Sequence, residues 1–280
     1  MHWQTKPQSG SRRAYIRMAY KSKKSKTRKI LLSSLIGAAI LIPAFFTYTW
    51  LMEKRAHFIS YSAFGIEIPV NYTIHGIDVS KYQDIIDWNG VKDMKVGDIE
   101  MSFAFIKATE GLSGEDAYFK RNWEKARDAG LSRGAYHFFL ATKSGKAQAE
   151  NFINSVELAP GDLPPVLDIE QTYGVPVEKL RERAREWLEI IQNYYHVIPL
   201  IYTNVDFYKQ YLKSDFDGYP LWVAHYLQKQ RPNISRDWSF WQHSEAGRVN
   251  GIQTRVDFDV FNGDSVEFRK LLITYPSTPP

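Results

Sequence analysis

Eight short runs with the composition of β-strands recur between residues 74 and 261 of this chain. They are rich in the branched and aromatic residues that strands favour. The runs are Ile74–Val79, Ser102–Lys107, Gly134–Leu140, Pro165–Glu170, Pro199–Asn204, Leu221–Tyr226, Ser239–His243 and Val256–Phe261. Helical periodicity separates the first five, as in Tyr118–Ala129, Lys146–Val156 and Glu178–Tyr195. Strand and helix in alternation predict a parallel sheet.

The number of runs bears on how that sheet closes. Eight strands indicate an α/β fold, an irregular (β/α)8-like barrel. Little helical pattern separates the last three runs, so we expect the final helices to be reduced to loops. An open doubly wound sheet is the structural alternative. The sequence has no Gly-x-Gly-x-x-Gly turn, P-loop or His-Glu-x-x-His motif, so nothing in it supports nucleotide binding or zinc proteolysis.

An uncharged segment, residues 30–52, precedes the strand-like runs. Its length matches the roughly 20 apolar residues that one transmembrane helix needs to cross a bilayer. Tyr48 and Trp50 lie where an aromatic belt forms, and ten Lys/Arg with no Asp/Glu in residues 1–29 predict that this end stays cytoplasmic. A cleaved signal peptide is the main alternative, but Phe45–Trp50 offers no small-x-small cleavage site. A buried core helix is a third interpretation, which the adjoining basic run disfavours.

These features divide the chain into four parts. Residues 1–29 are expected to be a basic cytoplasmic tail, without stable structure, and residues 30–52 a transmembrane signal anchor. Residues 53–73 are expected to be a stalk or linker, and residues 74–280 the barrel domain. We therefore predict a single-pass membrane protein, monomeric, with its barrel in the periplasm or outside the cell.

The charge of the whole chain is misleading about its partners. The net charge is +5, but ten of the 36 Lys/Arg belong to the tail, which leaves 26 against 31 Asp/Glu and a net charge of about −5. We therefore expect no nucleic-acid binding by the barrel.

The absence of cysteine excludes disulfides and thiolate chemistry. The 15% aromatic content suits a cleft that stacks on sugar rings.

Two carboxylates end a buried strand in the segment Leu163–Glu170. Pro164 and Pro165 mark where the strand begins, because proline is barred from a strand interior. Asp168 and Glu170 are two positions apart, so their side chains share one face, with Cβ atoms about 7 Å apart. Repulsion and desolvation then separate their pKa values, which lets one site hold both an acid and a base. The alternative is that these acids cap the next helix or form salt bridges.

In a parallel barrel, working residues lie at the C-terminal ends of the strands. The polar residues at the ends of the predicted strands are Asp78, His137, Asp168, Glu170, Tyr202, Asn204, His225, Tyr226, Trp241, His243, Asp257 and Asp259. Acids converging with aromatic rings are typical of a cleft that cleaves carbohydrate. The histidines have no metal-ligand spacing, so we expect neither a metal nor a cofactor.

Longer motifs connect these positions. They are His75–Gln83, Ile86–Trp88, Phe103–Gly111, Phe119–Trp123, Ala126–Gly130, Gly134–Phe139, Ala147–Phe152, Pro164–Glu170, Trp241–Gln242, Gly247–Gly251 and Val256–Gly263. In unbroken order over about residues 74–264, these motifs resemble the glycoside hydrolase family 25 lysozymes, the Chalaropsis-type N-acetylmuramidases. The resemblance does not extend to residues 1–73.

The resemblance implies hydrolysis of the β-1,4 bond between N-acetylmuramic acid and N-acetylglucosamine in peptidoglycan, without a metal or cofactor. By position, Glu170 resembles the general acid/base and Asp168 the residue that assists the substrate acetamido group. Asp78 and Asp257 resemble the remaining family acids. The pattern is compatible with either the acetamide or a protein carboxylate as the nucleophile. The predicted substrate contacts are Tyr136, His137, Tyr202, Trp222, Tyr226 and Trp241.

Two positions depart from the family pattern. Asp259 stands where asparagine is usual, and His243 where an aromatic residue is common; neither change removes a catalytic position. A glycan-binding pseudoenzyme is one alternative function, which the intact acids disfavour. A chitinase-like hydrolase is another, but Val166 occupies the place of an earlier acid in the chitinase motif.

Overall fold

A computed structural model describes residues 10–53, 57–226, 228 and 230–274. By its internal contacts the chain divides between residues 55 and 56 into two compact units. The described part of the first unit is a single helix, and the second unit holds the eight strands predicted from the sequence.

The helix of the first unit, α1, spans Gly10–Glu53. Within it, Arg28–Thr49 is long and apolar enough to cross a membrane, with a mean hydropathy of 2.2. Apolar side chains of this span such as Leu35 and Leu41 are exposed, and a helix that is apolar on all sides is typical of a membrane span. The basic segment from Gly10 is helical, contrary to the expected disorder, because extending an existing helix costs much less than nucleating one.

A two-stranded antiparallel hairpin, Phe58–Tyr61 and Ile66–Pro69, begins the second unit. Its side chains cover the outer face of the last two barrel strands. Phe58 contacts Trp241 with ring centroids 5.8 Å apart, and the fully buried Phe64 contacts Phe258 at 5.5 Å. Within the predicted stalk, the hairpin is therefore packed on the domain, where it keeps water from large aromatic rings. Residues 54–56 of the predicted stalk lie outside the described residues.

Eight strands of the second unit close into a barrel. They are β1 (His75–Val79), β2 (Ile99–Glu110), β3 (Ser132–Phe138), β4 (Val166–Asp168), β5 (Leu200–Asn204), β6 (Leu221–Ala224), β7 (Phe240–Gly247) and β8 (Val256–Phe261). Neighbouring strands from β1 to β7 are parallel. Strand β8 is antiparallel to both β7 and β1. The predicted positions of all eight strands are confirmed.

The direction of β8 corrects the expected fold. A barrel of the (β/α)8 type is parallel throughout, whereas this closed barrel is mixed. Only residues 248–255 connect β7 to β8, and a parallel return needs a crossover of about a dozen residues or more. The short connection therefore reverses the last strand, and the fold is an α/β barrel of mixed strand direction.

Helices and short turns connect the strands on the outside of the barrel. The helices are α2 (Trp88–Asp93), α3 (Phe119–Asp128), α4 (Gly145–Ser155), α5 (Val177–Tyr195), α6 (Val205–Phe207) and α7 (Ser265–Leu271). Two turns are 3₁₀ helical, Lys81–Gln83 and Lys213–Phe216, and one is π helical, Tyr208–Leu212. Two short strands of two residues each, Lys95–Val96 and Gly114–Glu115, pair with β2. Among the described residues no helix lies between β6 and β7 or between β7 and β8, as expected.

Side chains of the strands alternate between two apolar layers. The barrel interior holds aromatic rings, with Phe105 stacked on Trp222 at 4.2 Å between centroids and Phe103 and Phe240 beside them. The outer layer packs the strands against the helices, as Trp187 of α5 does against β3. Because rings fill the interior, polar side chains can collect only at a mouth of the barrel.

Candidate active site

The C-terminal ends of β1 to β7 and the N-terminal end of β8 meet at one mouth of the barrel. Asp78 is the last inward-facing residue of β1, and Asp257 is the second residue of β8. The antiparallel register pairs these two residues directly. The sequence predicts Asp257 at a C-terminal strand end, whereas it lies near the N-terminal end of β8, and the reversal of β8 brings it to the same mouth as Asp78.

Asp168 and Glu170 lie at the end of β4. Asp168 is 5% exposed and Glu170 is partly exposed. Burial raises the pKa of both carboxyls, and the charge of Glu170 raises that of Asp168 further. The pair therefore retains a proton at a pH where two isolated carboxyls would both be ionised. Atom Oδ1 of Asp168 is buried and accepts no hydrogen bond from a donor in the described part of the chain.

A second group of acids lies across the mouth. Burial first, and then the charges of Asp257 and Asp259, raise the pKa of Asp78 well above its ordinary range. Burial also raises the pKa of Asp257 to about 6, helped by the charge of Glu245. Asp259, one pleat deeper on β8, is fully buried and its pKa is raised for the same reason. This side of the cleft therefore also keeps protons near neutral pH.

Gln242 on β7 connects these acids to two tyrosines. Its Nε2 donates to Oδ2 of Asp78 at 2.6 Å, and its Oε1 accepts from the hydroxyl of Tyr202 at 2.7 Å and from that of Tyr226. Sequence reasoning did not include Gln242 among the site residues. The signal was present, because Gln242 is two positions after the interior residue Phe240 and so faces the same side of the strand.

Lys107 is a second residue that the predicted site lacked. It ends the inward-facing series on β2 and pairs in register with Tyr136 of β3. Its Nζ is 2.6 Å from Oε2 of Glu110 and lies 4.7 Å from the ring centroid of Phe138. The charge of Lys107 lowers the pKa of Asp168, which opposes the effect of burial on that group.

Tyr136, Tyr202 and Tyr226 lie at the mouth, and their exposure differs. Tyr136 and Tyr202 are buried, and Tyr226 is 36% exposed. Negative charges of Asp78 and Asp168, added to burial, raise the pKa of Tyr136. These tyrosines therefore stay neutral and act as hydrogen-bond donors or apolar walls.

Three of the predicted substrate contacts, Trp241, His137 and Trp222, are not on the surface of the cleft. Trp241 is fully buried on the outer face of β7, where its Nε1 donates to the carbonyl of His225 at 3.0 Å. His137 lies on the outer face of β3, bonded to Thr109 at 2.7 Å and stacked on Trp187. Alternate residues of a strand face opposite sides, so Tyr136 and Gln242 face the mouth while their neighbours His137 and Trp241 do not.

Trp222 is also not a wall of the cleft. It faces inward but is 1% exposed and lies beneath the acids, where its Nε1 donates to Oδ1 of Asp259 at 2.7 Å. His243, on the outer face of β7, contacts Phe58. Asn204 caps α6 by accepting from the backbone N–H of Phe207 at 2.8 Å.

The mouth thus combines four carboxyls with raised pKa values, tyrosine hydroxyls and one lysine. A carboxyl that is protonated near neutral pH can protonate a leaving oxygen, and charged carboxylates opposite it can stabilise an oxocarbenium-like state. The family model described as glycosyl hydrolases family 25 matches residues 77–252. The chain belongs to this family.

Relatives and solved structures agree with that assignment. The chain is 40% identical over 266 residues to "Uncharacterized protein YegX" of Escherichia coli strain K12, covering 92% of this chain and 98% of the relative. It is 35% identical over 218 residues to "Lysozyme M1" of Streptomyces globisporus, 71% of each. A solved family 25 glycosyl hydrolase from Bacillus anthracis matches with a TM-score of 0.66 at 30% identity, over 77% of this chain and all of that one. As a family 25 member the protein is a glycoside hydrolase of the lysozyme type.

Proposed function

We propose that this protein is a membrane-anchored N-acetylmuramidase that hydrolyses the β-1,4 bond between N-acetylmuramic acid and N-acetylglucosamine in peptidoglycan. The observation that carries the proposal is the pair Asp168 and Glu170 at the mouth of a family 25 barrel. One member of the pair is buried and the other partly exposed, which suits two different roles.

Glu170 is the proposed general acid and base. It is the member of the pair that solvent and substrate can reach, and burial raises its pKa, which favours the protonated form needed to protonate the leaving oxygen. After the leaving sugar departs, the ionised carboxylate can accept a proton from the attacking water. General acid–base catalysis of this kind contributes about 10²–10⁴-fold to a rate.

Asp168 is proposed to assist the acetamido group of the muramyl sugar. Its unpartnered Oδ1 can accept a hydrogen bond from the acetamido N–H, which orients the acetamido carbonyl toward the anomeric carbon. The acetamido carbonyl oxygen would attack the anomeric carbon, and the bond from that carbon to the protonated leaving oxygen would break. The resulting cyclic intermediate would then be opened by water. Asp78 and Asp257 face this position from β1 and β8. Asp257, whose pKa of about 6 lets it ionise near neutral pH, would stabilise the positive charge that develops on the sugar, and Asp78 would hold the shared proton beside it.

The anchor is proposed to be the span Arg28–Thr49 of α1. Its exposed apolar side chains and the excess of basic residues on its N-terminal side favour a signal anchor with the N-terminus in the cytoplasm. The barrel would then act in the compartment where peptidoglycan lies, periplasmic or extracellular. We propose that it acts there as a monomer.

Analysis of the reducing ends in digested peptidoglycan tests the function. New muramic acid ends, detected as the sugar alcohol after borohydride reduction, are the expected product. New N-acetylglucosamine ends would mean that the other glycosidic bond is cut and would refute the muramidase assignment. Binding to peptidoglycan without any new ends would identify a glycan-binding pseudoenzyme.

A further inference from the structure

A cavity of about 320 Å³ lies at the C-terminal end of β2. Its walls are the chain after β2 and the turn after β1, and they include Lys81, Lys107, Glu110, Ser113, Asp116 and Leu140. Lys107 lies over the ring of Phe138, and Phe138 pairs in register with Asp168, so the cavity adjoins the proposed catalytic pair. The reaction described above uses none of this space.

Lys107 connects the cavity to the cleft. Its side chain is 13% exposed, held between Oε2 of Glu110 and the ring of Phe138. An ammonium group this buried is positioned to donate to an acceptor that enters the cavity, and charge-assisted hydrogen bonds are the stronger kind. Lys81, on the opposite wall, is exposed and carries a second cation.

On its other flank Asp168 is covered by a buried tyrosine. In the sheet register Asp168 pairs with Phe138 of β3 on one side and with Tyr202 of β5 on the other. Tyr202 is 7% exposed, and its hydroxyl is already bonded to Gln242. A substituent on a sugar bound at Asp168 therefore finds room on the side of Lys107.

The muramyl sugar has such a substituent. Its acetamido group is on carbon 2, and the neighbouring carbon 3 carries a lactyl ether that is extended by a short peptide in peptidoglycan. A sugar that presents its acetamido group to Asp168 therefore holds its lactyl group next to that aspartate. The lactyl carbonyl and the peptide supply carbonyl oxygens, carboxylates and, in many peptidoglycans, an amine.

We propose that this cavity binds the lactyl group and the first residues of the peptide on the muramyl sugar whose bond is cut. Lys107 and Lys81 donate hydrogen bonds to its carbonyl and carboxylate oxygens, and the exposed acid Glu110 suits a peptide that also carries an amine. A volume near the lower end of the usual 300–1,000 Å³ range for ligand sites admits only a short segment. The inference rests on the proposed muramidase function, because only that reaction places a muramyl sugar at Asp168.

A second cavity, of about 630 Å³, lies against α2 and α3, where Trp88 and Arg121 contribute to its walls. Its lining residues do not include Lys107, the residue that connects the smaller cavity to Asp168 through Phe138. A ligand in the larger cavity would therefore have no geometric link to the sugar at Asp168, and the smaller cavity is the better candidate for the peptide.

Two substitutions at exposed positions of the cavity test the proposal on the full-length protein in detergent. Ser113→Trp fills the space, and Lys81→Met removes one cation. Lys95→Met is the matched control, because Lys95 forms an exposed pair with Glu100 at 3.1 Å near the opposite end of β2. The substrates are peptide-bearing glycan strands and the same strands after enzymatic removal of the peptides, and the measured quantity is the ratio of the two kcat/KM values.

We expect wild-type protein to prefer peptide-bearing strands. Lys81→Met should lower that ratio by about tenfold, the effect of one charge-assisted hydrogen bond, and Ser113→Trp should lower it by excluding the peptide from the cavity. Lys95→Met should keep the wild-type ratio. The same ratio in wild-type, Lys81→Met and Ser113→Trp proteins would overturn the inference, while muramic acid ends from both substrates would leave the proposed function standing. Absence of muramic acid ends from either substrate would refute the proposed function itself. If Ser113→Trp lowers the thermal unfolding temperature, Lys81→Met alone decides.

Discussion

The indole N–H of Trp222 donates a hydrogen bond of 2.7 Å to Oδ1 of Asp259 beneath the floor of the cleft. Both side chains are buried, Trp222 at 1% exposure and Asp259 at 0%. Burial raises the pKa of Asp259, so the group is held in its protonated form although family 25 usually has asparagine there. A neutral carboxyl and an amide present a similar pair of hydrogen-bonding atoms, which explains how this position accommodates either residue.

Asp259→Asn should change the pH dependence of stability. The unfolded Asp259 ionises near pH 4, whereas the folded group stays protonated to a higher pH. Its contribution to stability is therefore complete below about pH 4 and is lost as pH rises toward the folded pKa. We expect the thermal unfolding temperature of Asp259→Asn to match wild type near pH 4 and to exceed it increasingly toward pH 8. Parallel curves for the two proteins would contradict a protonated Asp259.

Glu170→Gln and Asp168→Asn should fail in different ways. Glu170→Gln removes the transferable proton, so we expect a loss of kcat of about 10²–10⁴-fold on peptidoglycan. An aryl glycoside with an activated leaving group needs little protonation, so this variant should recover much of its bond-cleaving rate there. Asp168→Asn should stay impaired with both substrates, because its role is to orient the acetamido group and stabilise charge. If both variants recover alike, the proposed division of roles is wrong.

Trp241→Phe and Tyr226→Phe should separate stability from substrate binding. Trp241→Phe leaves the carbonyl of His225 without its donor on the outer face, and an unmet buried hydrogen bond costs about 1–3 kcal/mol. We expect a lower free energy of unfolding with an unchanged KM. Tyr226→Phe removes a hydroxyl from the mouth, and we expect lower kcat/KM with little change in stability. An increase in KM for Trp241→Phe would place Trp241 in the substrate site after all.

The N-terminal hairpin should be required for a stable barrel. A chain that begins at residue 57 keeps it, whereas one that begins at residue 74 exposes Trp241 and Phe258. Deleting one buried phenylalanine ring, such as that of Phe64, costs about 3–5 kcal/mol. We expect the first protein to be soluble, monomeric and active without detergent, and the second to unfold at a much lower temperature. Equal unfolding temperatures would show that the hairpin adds nothing to the domain.

The membrane topology can be checked with reporters fused after residue 280. Because basic residues precede the apolar span, we expect activity from a reporter that functions only outside the cytoplasm. Deleting residues 30–52 should abolish that activity and serves as the control. A strictly cytoplasmic reporter that is active in the full-length fusion would refute the proposed orientation.

Much of the fold could be predicted from local patterns. The eight strands and helices α3, α4 and α5 were predicted close to their observed positions, because apolar periodicity reflects how each segment is buried. The pair Asp168 and Glu170 was also recognisable from the sequence. Burying two acids in an apolar strand costs free energy, so their presence there indicates a functional site. These features depend on residues close together in the chain.

The reversal of β8, the burial of the hairpin and the inward face of β7 came only from the tertiary structure. Trp241 and His243 were predicted for the cleft and Gln242 was not, yet Gln242 alone of the three faces it. Side chains alternate along a strand, and which set faces inward depends on how that strand pairs with its neighbours. The sequence by itself determined which segments become strands and where the acids lie along them. Pairing between β1 and β8, which are distant in the chain, decided that Asp78 and Asp257 lie side by side.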